Sequence, residues 1–120
     1  MAKTFINKEI ASRAVRYIIS IAGEGKIKFS VGKYKVIPKA AVLSDGTLVT
    51  YSRNLPVLDA HYGIESVIID VVGLCKNKVT QIEIYRDGTI VYSPKINRDE
   101  EEVKEFVRLL AGSPLQVAHI

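Results

Sequence analysis

Four lysines alternate with apolar residues in KIKFSVGKYKV, residues 26–36, where Lys26, Lys28, Lys33 and Lys35 are interleaved with Ile27, Phe29, Tyr34 and Val36. In an extended chain, side chains two residues apart share a side, so this stretch sorts into a basic face and an apolar one. A row of ammonium groups suits a polyanion: phosphates relieve the repulsion between like charges, and binding releases their condensed counterions. Lys39 extends the row, and Arg13 and Arg16 lie on the polar side of the helix expected upstream. Tyrosines are the second ingredient. Tyr34, Tyr51, Tyr85 and Tyr92 all fall in expected hairpins, and flat rings beside a basic strip hold single strands by stacking.

No comparable case exists for catalysis. The two histidines are His61 and His119, and Asp59 beside His61 lacks a third ligand at metal-site spacing. The single cysteine, Cys75, sits on an apolar stripe with no activating neighbour. GEGKIK at 23–28 follows a helix and lacks the GxxxxGK[ST] pattern of a phosphate-binding loop. The acidic run 99–102 is explained by the electrostatics of a helix start. The expectation is therefore a protein with no enzymatic activity, cofactor or metal.

Charge distribution points the same way. The net charge is +4, and residues 1–53 carry ten Lys or Arg against three acids, whereas residues 54–120 carry seven against ten. A lopsided basic half suggests an anionic partner. One cysteine allows no intrachain disulfide, which suits a reducing cytoplasm. The start MAKTFINKEI has no signal-peptide character, and no apolar run approaches the roughly 20 residues of a membrane span. Abundant Ile, Val, Lys and Glu with few Asn, Gln, Cys and Met is a bias typical of heat-stable proteins.

The elements that must position these residues follow from periodicity and punctuation. A chain of 120 residues fits one domain, 1–120, with 113–120 as an apolar C-terminal tail docked on it. Asn7 caps a helix over Lys8–Ala22, whose buried stripe is Ile10, Ala14, Ile18 and Ile21. A hairpin turning at Val31-Gly32 places Phe29 opposite Tyr34 and Lys28 opposite Lys35. Two further hairpins turn at Asp45-Gly46 and Asp87-Gly88, dipeptides that favour tight turns. In the last of them, two-residue alternation groups Ile82, Ile84 and Val91 on one face, and Gln81, Glu83, Tyr85, Ile90 and Tyr92 on the other. Residues 56–75 are ambiguous: VIIDVV has strand propensity, while Val57, Ala60, Ile64, Val67, Ile68, Val71 and Cys75 fit a helical stripe, and the helix is preferred. A final helix starts at an Asn97/Glu100 capping box and buries Val103, Phe106, Val107 and Leu110.

The expected fold is thus α+β: an antiparallel sheet built from three β-hairpins, covered on one face by two or three helices, in the order α-ββ-ββ-α-ββ-α. The sheet's other face is left to bind. The expected function is nucleic-acid binding with little sequence specificity. Lys26, Lys28, Lys33, Lys35 and Lys39, helped by Arg13 and Arg16, would contact phosphates, and Tyr34, Tyr51, Tyr85 and Tyr92 would stack on bases. The partner is DNA or RNA, with single strands favoured, and the chain is expected to form a homodimer. The alternative is a dimeric protein-interaction module without a nucleic-acid ligand. The element order is loosely similar to that of roadblock-type dimerisation domains, from which the extra lysine hairpin departs.

Overall fold

A computed structural model of the chain describes residues 2–23, 29–43, 48–50, 64–75, 78–93 and 100–112. Its elements are β1 (Ala2–Phe5), α1 (Lys8–Gly23), β2 (Phe29–Val31), β3 (Tyr34–Leu43), β4 (Leu48–Thr50), β5 (Ile64–Cys75), β6 (Lys78–Tyr85), β7 (Thr89–Ser93) and α2 (Glu100–Ala111). Six strands lie side by side in the order β1-β7-β6-β5-β3-β2, and β4 pairs with β3 off that row. Every pairing is antiparallel. The α+β class therefore holds.

Both helices pack as their sequences dictate, and α1 begins at its expected cap; Asn97, expected to cap the last helix, lies outside the described residues. The Asn7 side-chain oxygen accepts the amide hydrogens of Glu9 (2.7 Å) and Ile10 (3.4 Å), satisfying two donors that have no partner inside α1. Ala14, Ile18 and Ile21 are fully buried, and Ala11, Val15, Tyr17 and Ile19 widen the apolar surface because α1 packs against both the sheet and α2. On α2, Val103, Phe106, Val107 and Leu110 are all inaccessible to solvent. These residues form one core with Val36 of β3, Val67, Ile69 and Val71 of β5, Ile82 and Ile84 of β6, and Ile90 and Tyr92 of β7. The helices thus cover one face of the sheet.

The helix expected over 56–75 is overturned. Residues 64–75 form β5, which sits in mid-sheet between β3 and β6, and 56–63 lie outside the described residues. Val67, Ile69 and Val71 point into the core, while Ile68 and Val72 on the other face are half-buried. With apolar residues on both faces, the strand loses its alternation, and such a run also satisfies a helical template. The β-branched side chains of VIIDVV, stiff about their first torsion, decide for the strand once neighbours pair on both sides. With residues 64–75 a strand, the described elements do not run in the order that carried the likeness to roadblock-type domains. Strand β1 has no counterpart among the expected elements; its four residues pair with Thr89–Tyr92 at the sheet's edge.

Two hairpin registers also differ from expectation. The first turns at Gly32-Lys33, so that Val31 pairs with Tyr34, Ser30 with Lys35, and Phe29 with Val36. Lys35 therefore faces a serine, not Lys28. The last has a three-residue loop, Arg86–Gly88. The Tyr85 carbonyl accepts the Gly88 amide (3.2 Å), Gly88 takes a φ of 100°, and Ile84 pairs with Ile90. That arrangement, a tight turn followed by a left-handed residue, shifts β7 by one position. Ile90 and Tyr92 accordingly join Ile82 and Ile84 in the core, and Val91 lies opposite Glu83 on the outer face. The Asp45-Gly46 turn and the 113–120 tail lie outside the described residues, although β3 and β4, which flank that turn, do pair.

Candidate nucleic-acid interface

The face that the helices leave uncovered carries Lys35, Ile37 and Lys39 of β3. Its neighbours are Asp70 of β5, then Gln81, Glu83 and Tyr85 of β6, placed by the alternation of each strand and by the pairings Ile37↔Asp70 and Asp70↔Gln81. Lys35 is exposed. Lys39 is the extra residue of a bulge between Pro38 and Ala40, an insertion of the kind that re-aims a side chain. Its ammonium lies 3.1 Å from the Asp70 carboxylate, with Lys39 half exposed and Asp70 only 15% exposed. Such a pair at a surface contributes at most about 1 kcal/mol of stability, but it neutralises the cation locally.

The expected lysine row is therefore divided. Lys33 occupies the turn, with its ammonium 5.5 Å from the centroid of the Tyr34 ring, and Tyr34 faces the helix layer. Lys35 stands on the opposite, outer side. Lys26 and Lys28 lie outside the described residues. Arg13 and Arg16 are exposed on α1, in the helix layer, and do not join Lys35 and Lys39. Beside Lys35, a shallow depression of about 250 Å³ is lined among the described residues by Phe29, Ser30, Lys35 and Ile37.

The tyrosines separate just as clearly. Tyr34 is 7% exposed and meets Phe106 edge to face at 5.3 Å, and Tyr92 is 1% exposed in the core. Neither ring has an open surface for a base. The one-residue shift of β7 explains Tyr92, moving its ring from the outer face to the inner one. Tyr34 keeps the side it shares with Phe29 and Val36, and that is the side the helices cover. Tyr51 lies outside the described residues. Tyr85 alone of the four is described on the outer face, half-buried, and its phenol is pushed above the usual tyrosine range by burial, then by the negative charge of Glu83 and a hydrogen bond to it, and last by the charge of Asp87.

Sequence reasoning missed the polar cluster beside Tyr85. The Ser66 hydroxyl donates to Glu83 Oε2 at 2.7 Å, and Ser66 is fully buried. Glu83 was legible as an outward residue of an alternating strand. Its contact with Ser66 was hidden by the helical reading of 56–75. Among the described residues, no group of three or more His, Cys, Asp or Glu side chains is placed to hold a metal ion. None of their helices is long and apolar enough to cross a membrane. Comparison with protein-family models, with curated proteins and with solved structures finds no match for this chain.

Proposed function

We propose that the protein binds single-stranded nucleic acid across the uncovered face of its sheet, with phosphates held at the β2–β3 edge. One observation carries this reading: α1 and α2 both pack on the same face, which leaves Lys35 and Tyr85, a cation and a partly open ring, on the other. Lys33 reaches the same edge from the turn. Lys26 and Lys28 belong to the proposal by sequence. Lys39 adds less, because Asp70 already neutralises it. Stacking falls to Tyr85, with Tyr51 as the remaining candidate by sequence. A broad sheet face suits a splayed single strand better than a duplex, whose bases are stacked inside.

Affinity for a labelled oligonucleotide, measured by fluorescence anisotropy at several salt concentrations, tests the proposal. Replacing Lys33 and Lys35 together by serine should flatten the dependence of log affinity on log salt by roughly 1.4, at about 0.7 for each phosphate that is no longer neutralised. An unchanged slope removes the hairpin from the interface.

The homodimer reading has one observation in its favour. Phe5 is 67% exposed on β1, which among the described residues pairs only with β7. Edge-to-edge pairing of β1 between two copies would cover that ring. Light-scattering mass of the wild type and of Phe5→Lys tests it; a monomer at high concentration rejects the dimer without touching the nucleic-acid proposal.

A further inference from the structure

Crossing the outer face from β3 to β6, the chemistry changes sign. The β3 side carries Lys35, exposed, and Lys39, partly neutralised by Asp70. The β6 side carries no cation among its described outward residues: Gln81 is exposed, and Glu83 and Tyr85 are half-buried. The two strands flank β5 and so lie two strand spacings, about 10 Å, apart. Glu83 is also held in place. The buried Ser66 hydroxyl donates to its Oε2, and the Tyr85 phenol hydrogen-bonds the same carboxylate. A carboxylate can accept about four hydrogen bonds, so acceptor capacity remains.

A fixed carboxylate on a surface that receives a polyanion costs affinity unless it meets a hydrogen-bond donor. Phosphates bring none, but bases do. The Watson–Crick edge of an unpaired guanine presents two neighbouring N–H donors, a match for a carboxylate that no other common base offers. Single-stranded bases are commonly read on that edge and stacked on flat side chains.

Resting on the single-strand reading above, we propose that Glu83 is a base-reading site for guanine, accepting its paired N–H donors. Gln81 lies two residues before Glu83 on the same side of β6, and Tyr85, two residues after it, supplies a stacking surface for the adjacent base. Lys35 engages the backbone at the far side of the face. Recognition is then polar in direction, with phosphates towards β3 and base edges towards β6. The little sequence specificity expected from lysine contacts alone gives way to a preference at one position.

The test uses the full chain and four labelled 12-nucleotide probes at one salt concentration: oligo-U, oligo-A, oligo-C, and oligo-U with a central GG. The GG probe should bind about 10-fold more tightly than oligo-U, the size expected of one good bidentate contact. Glu83→Gln should abolish that preference. Ser66→Ala, which frees the carboxylate without removing it, should reduce the preference by a smaller factor. Unchanged far-ultraviolet circular dichroism shows that each variant is folded. Equal affinity for all four probes overturns the base-reading site alone and leaves the polyanion surface standing. A guanine preference that survives Glu83→Gln also overturns it. Absence of binding to every probe overturns both readings.

Discussion

At the tip of the β2–β3 hairpin, Gly32 has a φ of 58°, and a methyl group placed there would meet nothing within 4 Å. At the tip of the β6–β7 hairpin, Gly88 has a φ of 100°, and the same methyl would collide with the Ile6 carbonyl oxygen and press on the Lys8 backbone. Both glycines take a left-handed conformation that other residues enter at a cost. Only the second is also locked into tertiary structure. The Gly88 carbonyl accepts the Ile6 amide (2.9 Å), and the Ser12 hydroxyl donates to the Arg86 carbonyl (3.1 Å), so this tip is stitched to the junction between β1 and α1. The Gly32 tip is open, carries Lys33, and adjoins Lys35. Similar local signals thus have two outcomes: one turn is packed into the fold, and the other leaves open space at its glycine.

Substitution separates the two. Gly88→Ala combines backbone strain with a clash against main chain that cannot swing aside, and should cost about 4 kcal/mol. The measurement is a urea midpoint with an unchanged slope. Gly32→Ala carries the backbone cost only and should lose about 1 kcal/mol, with Gly32→Asn near neutral, because asparagine tolerates this conformation. Equal losses at the two glycines would break the comparison. The smallest effect belongs to Asp87, whose carboxylate accepts the Thr89 amide (2.9 Å) and is thereby held below the ordinary carboxylate range, with Lys8 adding a smaller pull. A depressed pKa in the folded state stabilises the fold above the unfolded value of about 3.9, and that contribution disappears as pH falls through the folded value. Asp87→Asn should therefore approach the wild type in stability as pH drops from about 5 through the folded value, which lies below the ordinary one. A difference that stays constant over this window would show that the charge plays no part.

The same contrast marks what was legible in the residues. The Asn7 cap, the apolar stripes of α1 and α2, and the inward set Ile82 and Ile84 were all readable, because each depends on neighbours a few positions away. The faces of Lys35 and Tyr85 were readable for the same reason. Tyr34 keeps the apolar side that alternation gave it, which the helices cover, whereas Tyr92 changes sides because the β6–β7 register depends on one extra loop residue. In a strand, a slip of one moves a side chain from solvent to core. The proximity of Lys39 to Asp70 was out of reach, since a residue read as part of a helix cannot be paired across strands.

The linear chain by itself decided where α1 begins, which stripes α1 and α2 bury, which segments pair as the first and last hairpins, and that its first half is cationic. These are matters of local backbone preference and side-chain period. Only the assembled sheet decided that 64–75 is a central strand, that Tyr34 and Tyr92 belong to the core, and that the lysines divide between two sides of an edge. Those outcomes depend on which strands lie alongside and which face the helices cover. Such pairings join residues far apart in sequence, and their free energy appears only when the partners meet.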